Sequence, residues 1–311
     1  MYPKSDSSSR GIRLRVAPGQ QIYRLIGFQK GYNLALWCIF GGSALAFGLG
    51  RAEYLDYYRV FCRRNYLSRG HHAAPGECYY FLNGGLEQIG MMLHLYSIIP
   101  CCCLVFFQFI PALRQRCLRL HRVNGYASIL CMGIALLGGL MSLPGSFGGD
   151  VTWMTVATIH SGMVATGLTV AMIHVRNMQI EQHRAWMLRT WIWAFCIITM
   201  RAIQMLIVRI VSDDRHIVLR PCAQIMSDGV VPISTIVQKW PDCTQYFSGN
   251  NPQQEVLVTA SYLGLPIEVN AALSVASGTS ASIALLLHIL GAEIYVRILP
   301  CIILTFPSLE L

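Results

Sequence analysis

The chain has 311 residues, 54% hydrophobic and only 13% charged, with a mean hydropathy of +0.47. An average soluble domain is roughly a quarter charged, so a chain this poor in charge cannot cover a water-soluble surface of its own size. A soluble enzyme, a disordered regulator and a secreted disulfide-rich module are excluded, and an integral membrane protein remains. The formal charge of +9 does not change this. No basic run is interleaved with aromatics, so nucleic acid is not an expected partner; basic residues collect on the cytosolic side of membrane proteins.

Residues 1–30 form a polar, basic tail with Lys4, Arg10, Arg13, Arg15, Arg24 and Lys30 against Asp6. The tail and the apolar run after it are both too long for a cleaved signal peptide, so the run reads as a first span. Apolar stretches of spanning length then follow in order: Gly31–Gly50, Gln88–Ala112, Asn124–Pro144, Thr152–Val175, Met187–Val211 and Asn270–Ala292. Ile298–Phe306 is too short to span alone and extends the last helix unless it counts as a seventh span. The expected fold is an all-α, multi-pass transmembrane bundle over residues 31–300, followed by an atypical apolar tail at 301–311.

With the N-terminus cytosolic, fourteen Lys and Arg fall on the cytosolic side and eight on the other. Arg114, Arg116, Arg119 and Arg122 crowd one short connection, whereas the next holds only Asp150. Both termini are therefore expected in the cytosol, with the protein in the endoplasmic reticulum, another endomembrane or the plasma membrane. The two long loops, 51–87 and 212–269, become lumenal. They hold Cys62, Cys78, Cys222 and Cys243, an even number that fits two disulfides in an oxidising compartment. Local pairing, Cys62 with Cys78 and Cys222 with Cys243, is the simplest of three connectivities. The second loop then forms a disulfide-pinned cap. Cys101, Cys102 and Cys103 read as soft helix filler beside Pro100, and no CxxC supports a zinc or thiol-redox site.

Two hairpins look alike. The first has His94 and then His121-Arg122; the second has His160 and then His183-Arg184. Both run the same way through the bilayer, as a duplicated hairpin in a helical bundle would. Ionisable groups within spans are costly and usually functional. His94 and His160 fall in the lumenal half, while His121, His183, His174 and His288 fall on the cytosolic side. Histidines on facing helices at two depths would suit haem b, with His94, His160, His121 and His183 as axial ligands. The simpler role is a hydrogen bond to a neighbouring helix. Arg201 lies inside the fifth span with Gln204 one turn on, and a guanidinium there needs a partner. The partner is an anionic substrate, a haem propionate, or Glu87 or Glu268. Gln108 is a further polar group in a span. The His-Arg pairs with their arginine neighbours suggest a site for an anionic headgroup, phosphate or carboxylate, against the simpler positive belt anchored by Trp186, Trp191 and Trp193. No P-loop, GxGxxG, HExxH or GxSxG occurs.

These pieces resemble a known family. The matching stretches are Leu93-His94 through Gln108-Phe109, then Leu120-His121-Arg122-Val123-Asn124-Gly125-Tyr126. Next come Gln182-His183-Arg184-Ala185-Trp186-Met187-Leu188-Arg189, followed by Arg201, and an ending around His288, Gly291, Glu293, Tyr295 and Arg297. Over Gly27–Pro300 the chain resembles domain of unknown function 2306, a family of predicted membrane proteins found in bacteria and filamentous fungi. The resemblance implies a multi-pass helical protein and carries no reaction with it. It favours His94, His121, His183, Arg184 and Arg201 as functional residues; from the polar groups within the spans, Arg201, Gln204 and Gln108 are the expected substrate contacts. It leaves out His160 and His174, which weakens the paired-haem scheme. Family members continue with a polar tail where this chain has Cys301–Leu311, which suggests an altered gene end.

The leading expectation is a membrane-embedded redox protein or enzyme, with haem as its candidate cofactor. It would act on a lipophilic small molecule, in fungi within a specialised-metabolite pathway. The alternatives are a carrier or exporter of an amphiphilic anion and an endomembrane scaffold.

Overall fold

A computed structural model describes residues 26–62, 73–212, 215–227 and 229–298. Most of the basic tail, Arg63, Arg64, Arg69, Asp213, Asp214, Asp228 and the apolar tail lie outside the described residues. Among the described residues, six helical segments are long and apolar enough to cross a membrane. They are α1 (Gly31–Leu49), α2 (Leu86–Gln108), α3 (Leu118–Ser142), α4 (Val151–Arg176), the pair α5 (Ile180–Ala194) and α6 (Cys196–Ile210), and α7 (Pro266–Glu293). The fifth span is interrupted at Phe195. α3 and α5 start earlier than their apolar runs because the helical hydrogen-bond ladder continues past the last apolar residue. His121 and His183 consequently sit in the first turn of their helices rather than in loops.

α2 packs along α3, and α4 packs along α5; α7 lies against α4, α5 and α6. Water supplies no drive between helices inside a bilayer, so small residues decide how closely they approach. α7 follows that rule: Ala271, Ala272, Ala276, Ser277, Gly278, Ser280, Ala281 and Ala284 are buried, whereas Leu286, Leu287 and Leu290 are exposed. In the first hairpin the approach is closer still. A Cβ on Gly138 would lie 2.5 Å from the Gly90 carbonyl oxygen, and a Cβ on Gly90 would lie 2.7 Å from that of Gly138.

Both disulfides lie at one end of the bundle and have the local connectivity, Cys62–Cys78 and Cys222–Cys243. The second pins a cap that carries short helices and a two-stranded antiparallel ribbon, β1 (Ile217–Pro221) and β2 (Glu255–Thr259). The ribbon departs from an all-helical reading. Val256 and Val258 turn inward into a core with Ile225, Ile236, Trp240 and Ala271, but five residues of alternation are too few to stand out in a long polar loop. Arg220 and Gln224 bind the cap to the remainder, and Asn270 of α7 passes the tie on to the first loop. Arg220 Nε donates to Asn270 Oδ1 at 3.0 Å, Asn270 Nδ2 to the Pro75 carbonyl at 2.7 Å, and Gln224 Nε2 to the Gly76 carbonyl at 3.2 Å.

Candidate functional site

Glu77 sits beside Cys78, so the first disulfide holds its backbone. Its carboxylate accepts from the Phe147 backbone N–H at 2.9 Å and from that of Ala74 at 3.2 Å. Phe147 belongs to the tight turn between α3 and α4. It adopts φ 49°, and Gly148 and Gly149 follow at φ 73° each. A left-handed phenylalanine is strained and persists only where its surroundings hold it; Glu77 is that constraint. Gly148 has a second reason to be glycine, because a Cβ there would lie 2.3 Å from the Arg220 guanidinium.

The strained turn presents a ring. Phe147 packs edge-on against Trp153, with centroids 5.2 Å apart, and the Arg201 guanidinium lies 4.8 Å from the Phe147 centroid. Cation–π contact of this kind stabilises a desolvated charge. Arg201 also donates to Gln204 Oε1 at 3.3 Å, and Gln204, itself buried, donates to the Leu273 carbonyl. Glu77, Arg51 and Tyr54 are close enough to act on the charge of Arg201, and Arg201 acts on His94. The Arg201 side chain remains accessible among Phe147, Gln204, Glu77 and Arg51, and this open cluster at the disulfide end is the Arg201 recess. The carboxylate beside it is Glu77, which corrects the expectation of Glu87 or Glu268. Glu268 instead pairs with Lys239 Nζ at 2.8 Å and accepts from the Leu265 backbone N–H at the start of α7.

Burial pushes the Glu77 carboxyl above the ordinary carboxylate range, against the lowering pull of the Phe147 N–H, Arg201 and the Ala74 N–H. For a carboxyl raised in the fold, the cost of ionisation is absent below the unfolded pKa and grows as pH rises through it. That cost is complete once pH passes the folded pKa. Thermal stability is therefore expected to increase as pH falls from about 7 toward 4, and Glu77→Gln is expected to flatten this slope. Glu77→Ala, which strands the Phe147 N–H, is expected to cost about 1–3 kcal/mol in a melting series. An unchanged pH slope in Glu77→Gln would remove Glu77 from this role.

His94, His160, His183 and His288 each bond the backbone of a neighbouring helix. His94 donates from Nδ1 to the Ala135 carbonyl at 2.8 Å, crossing from α2 to α3. His183 donates from Nδ1 to Ala171 at 2.8 Å, crossing from α5 back to α4. His160 Nε2 and His288 Nδ1 donate to the carbonyls of Trp193 and Ile192 at 3.1 and 2.6 Å. Those carbonyls lie in the last turn of α5, where a helix leaves them without intrahelical partners and a bilayer offers no water. The two histidines thus satisfy the interruption at Phe195. His288 Nε2 further accepts from the Thr199 hydroxyl at 2.8 Å.

This arrangement gives the paired-haem scheme no support. His94 lies where α2 and α3 are in backbone contact: a Cβ on Gly139 would be 3.2 Å from its Nδ1, and one on Gly138 would be 2.6 Å from its backbone nitrogen. The seam therefore closes on the Nδ1 side of His94. His160 Nε2 is engaged by the helix interruption, and His121 and His183, the pair expected at the other depth, bond Gln108 and the Ala171 carbonyl. A shallow apolar groove between α4 and α5, about 350 Å³, is lined by Gly162, Met163, Thr166, Gly167, Trp186 and Trp193, without a histidine.

The predicted set thus divides in two. His94, Arg201 and Gln204 belong to the disulfide end. Gln108 and His121 meet at the other end, with Gln108 Nε2 3.4 Å from His121 Nε2. Arg184 is exposed and 3.9 Å from Glu181, while Arg189 makes a two-point contact with Glu293 at 2.6 and 3.2 Å. His174 bonds Gln179. Arg209 is exposed and lies 5.7 Å from the Tyr262 ring, as a snorkelling side chain would. Glu77, Phe147 and Tyr54 were absent from the sequence reading, and Arg51 entered it only through the charge balance; the adjacency of Glu77 to a disulfide cysteine is the one signal that could have drawn attention to the first.

Six apolar crossings, buried small-residue seams and histidines satisfying intramembrane backbone define a multi-pass helical membrane protein. Residues 91–226 match the model of a family described as predicted membrane protein, DUF2306. This stretch contains the His-Arg pairs and Arg201. The chain is also 24% identical to Ava biosynthesis cluster protein G of Aspergillus versicolor, over 327 aligned positions that cover 92% of this chain and 95% of that one. No solved structure matches.

Proposed function

We propose that this protein is a membrane-embedded enzyme of a fungal specialised-metabolite pathway that binds an amphiphilic anion in the recess at Arg201. The observation that carries the reading is the pairing of Arg201, propped on Phe147, with His94 nearby. Arg201 orients the anionic group. His94, whose Nδ1–H is tied to Ala135, keeps Nε2 as its basic nitrogen and serves as the proton-transfer group. The biosynthesis-cluster relative supports the pathway. The disulfide end faces the lumen and the termini face the cytosol, as the two disulfides and the arginine excess at the opposite end favour.

Deletion of the gene in its host, followed by metabolite profiling, tests the reading. The expected result is loss of the product and accumulation of one amphiphilic precursor, restored by the wild-type gene and not by His94→Asn. A product still made but retained inside the cells would favour a carrier, and an unchanged profile would overturn the pathway assignment.

A further inference from the structure

A second polar cluster lies at the end opposite the disulfides, and the recess does not use it. His121 is the fourth residue of α3 and His183 the fourth residue of α5, and an arginine follows each. The local geometry fixes the His121 tautomer. Asn124 Nδ2 donates to the Leu104 carbonyl at 2.8 Å and to Gln108 Oε1 at 2.7 Å. With its oxygen so occupied, Gln108 turns its amide nitrogen to His121 Nε2, which accepts. His121 Nδ1 must then carry the proton, and this nitrogen is buried with no hydrogen-bond partner. The network therefore ends in an N–H donor that lacks an acceptor, an arrangement proteins avoid unless a ligand completes it.

A guanidinium and a second imidazole stand near that donor. Arg114, on the short helix Pro111–Arg116 that joins α2 to α3, and His183, from the second hairpin, both lie close enough to act on His121. The carboxylate on the neighbouring turn, Glu181, faces Arg184. The Arg114 guanidinium and the His121 Nδ1–H both donate, which disfavours a cation and favours an anion with several oxygens, while His183 Nε2, its Nδ1–H committed to Ala171, can accept from a phosphate hydroxyl. We propose that His121, His183 and Arg114 form a phosphate-binding site that joins the two hairpins and takes the phosphomonoester headgroup of an anionic lipid. The site is independent of the recess at Arg201. A lipid is the favoured source because the cluster stands where the helices leave the apolar layer, and free phosphate shares the same chemistry.

The test uses the full chain in phosphatidylcholine nanodiscs with and without phosphatidic acid, read by native mass spectrometry of retained lipid. Inorganic phosphate is added in a parallel thermal-shift series. Phosphatidic acid should be retained about tenfold over phosphatidylcholine, on the scale of one or two charge-assisted hydrogen bonds. His121→Asn and the exposed-position variant Arg114→Gln should lose that preference, while Arg116→Gln keeps it. Stabilisation by inorganic phosphate alone, lost in the same two variants, would uphold the phosphate site and overturn the lipid as its source. Loss in Arg116→Gln equal to that in His121→Asn would reduce the cluster to a diffuse positive belt. Retention of zinc in place of phosphate, or of neither, would overturn the proposal. Should His121→Asn misfold, Arg114→Gln decides alone.

Discussion

Arg201→Gln is expected to reduce product formation in a complemented deletion strain by roughly 10- to 100-fold at unchanged protein level. A hydrogen bond to a charged group contributes about 1.5–3 kcal/mol, and each 1.4 kcal/mol is about tenfold. The fold itself should tolerate the change. Arg201 makes one hydrogen bond, to its own-helix neighbour Gln204, and one ring contact, to Phe147. Arg201→Lys should recover only part of the activity, because an ammonium lacks the planar fork that holds a carboxylate or phosphate at two points. Full activity in Arg201→Gln, with normal protein level, would remove Arg201 from ligand binding and with it the recess as the working site.

Gly138→Val should be the most damaging single substitution in the first hairpin. Its Cβ would enter the space of the Gly90 carbonyl and the His94 backbone nitrogen, and backbone, unlike a side-chain tip, cannot swing aside. Overpacking usually costs about 1–3 kcal/mol, occasionally more, and the upper end applies here. The expected outcome is loss of the monodisperse peak in size-exclusion chromatography of detergent extracts. Gly133→Ala is the matched control. Nothing lies within 4 Å of a Cβ at that position, and alanine removes the roughly 0.5–1 kcal/mol penalty of a helical glycine. Equal behaviour of the two variants would show that the seam yields.

The spans were legible because twenty apolar residues in a row have few alternatives. The disulfide pairs were legible as the simplest of three connectivities. The helix interruption at Phe195 was hidden: no proline or glycine marks it, and the histidines that satisfy it, His160 and His288, lie in other helices. The recess was half legible. A charged arginine in an apolar span announces itself, and His94 stood out in the same way. Glu77 and Phe147 did not, because a loop carboxylate and a turn phenylalanine acquire meaning only when Glu77 accepts the Phe147 N–H across 70 residues of sequence. The duplicated His-Arg pairs gain a physical basis. In each hairpin the first-helix histidine bonds the second helix, and the second-helix histidine bonds the first.

Arg201 and the walls around it have separate origins in the chain. The arginine and its Phe147 prop fall within residues 91–226 that match the family model, whereas Arg51, Tyr54 and Glu77 come from the segment before it. Under the proposed function, chimaeras that swap residues 51–85 between relatives are expected to change ligand preference while Arg201 keeps its hold on the anionic group.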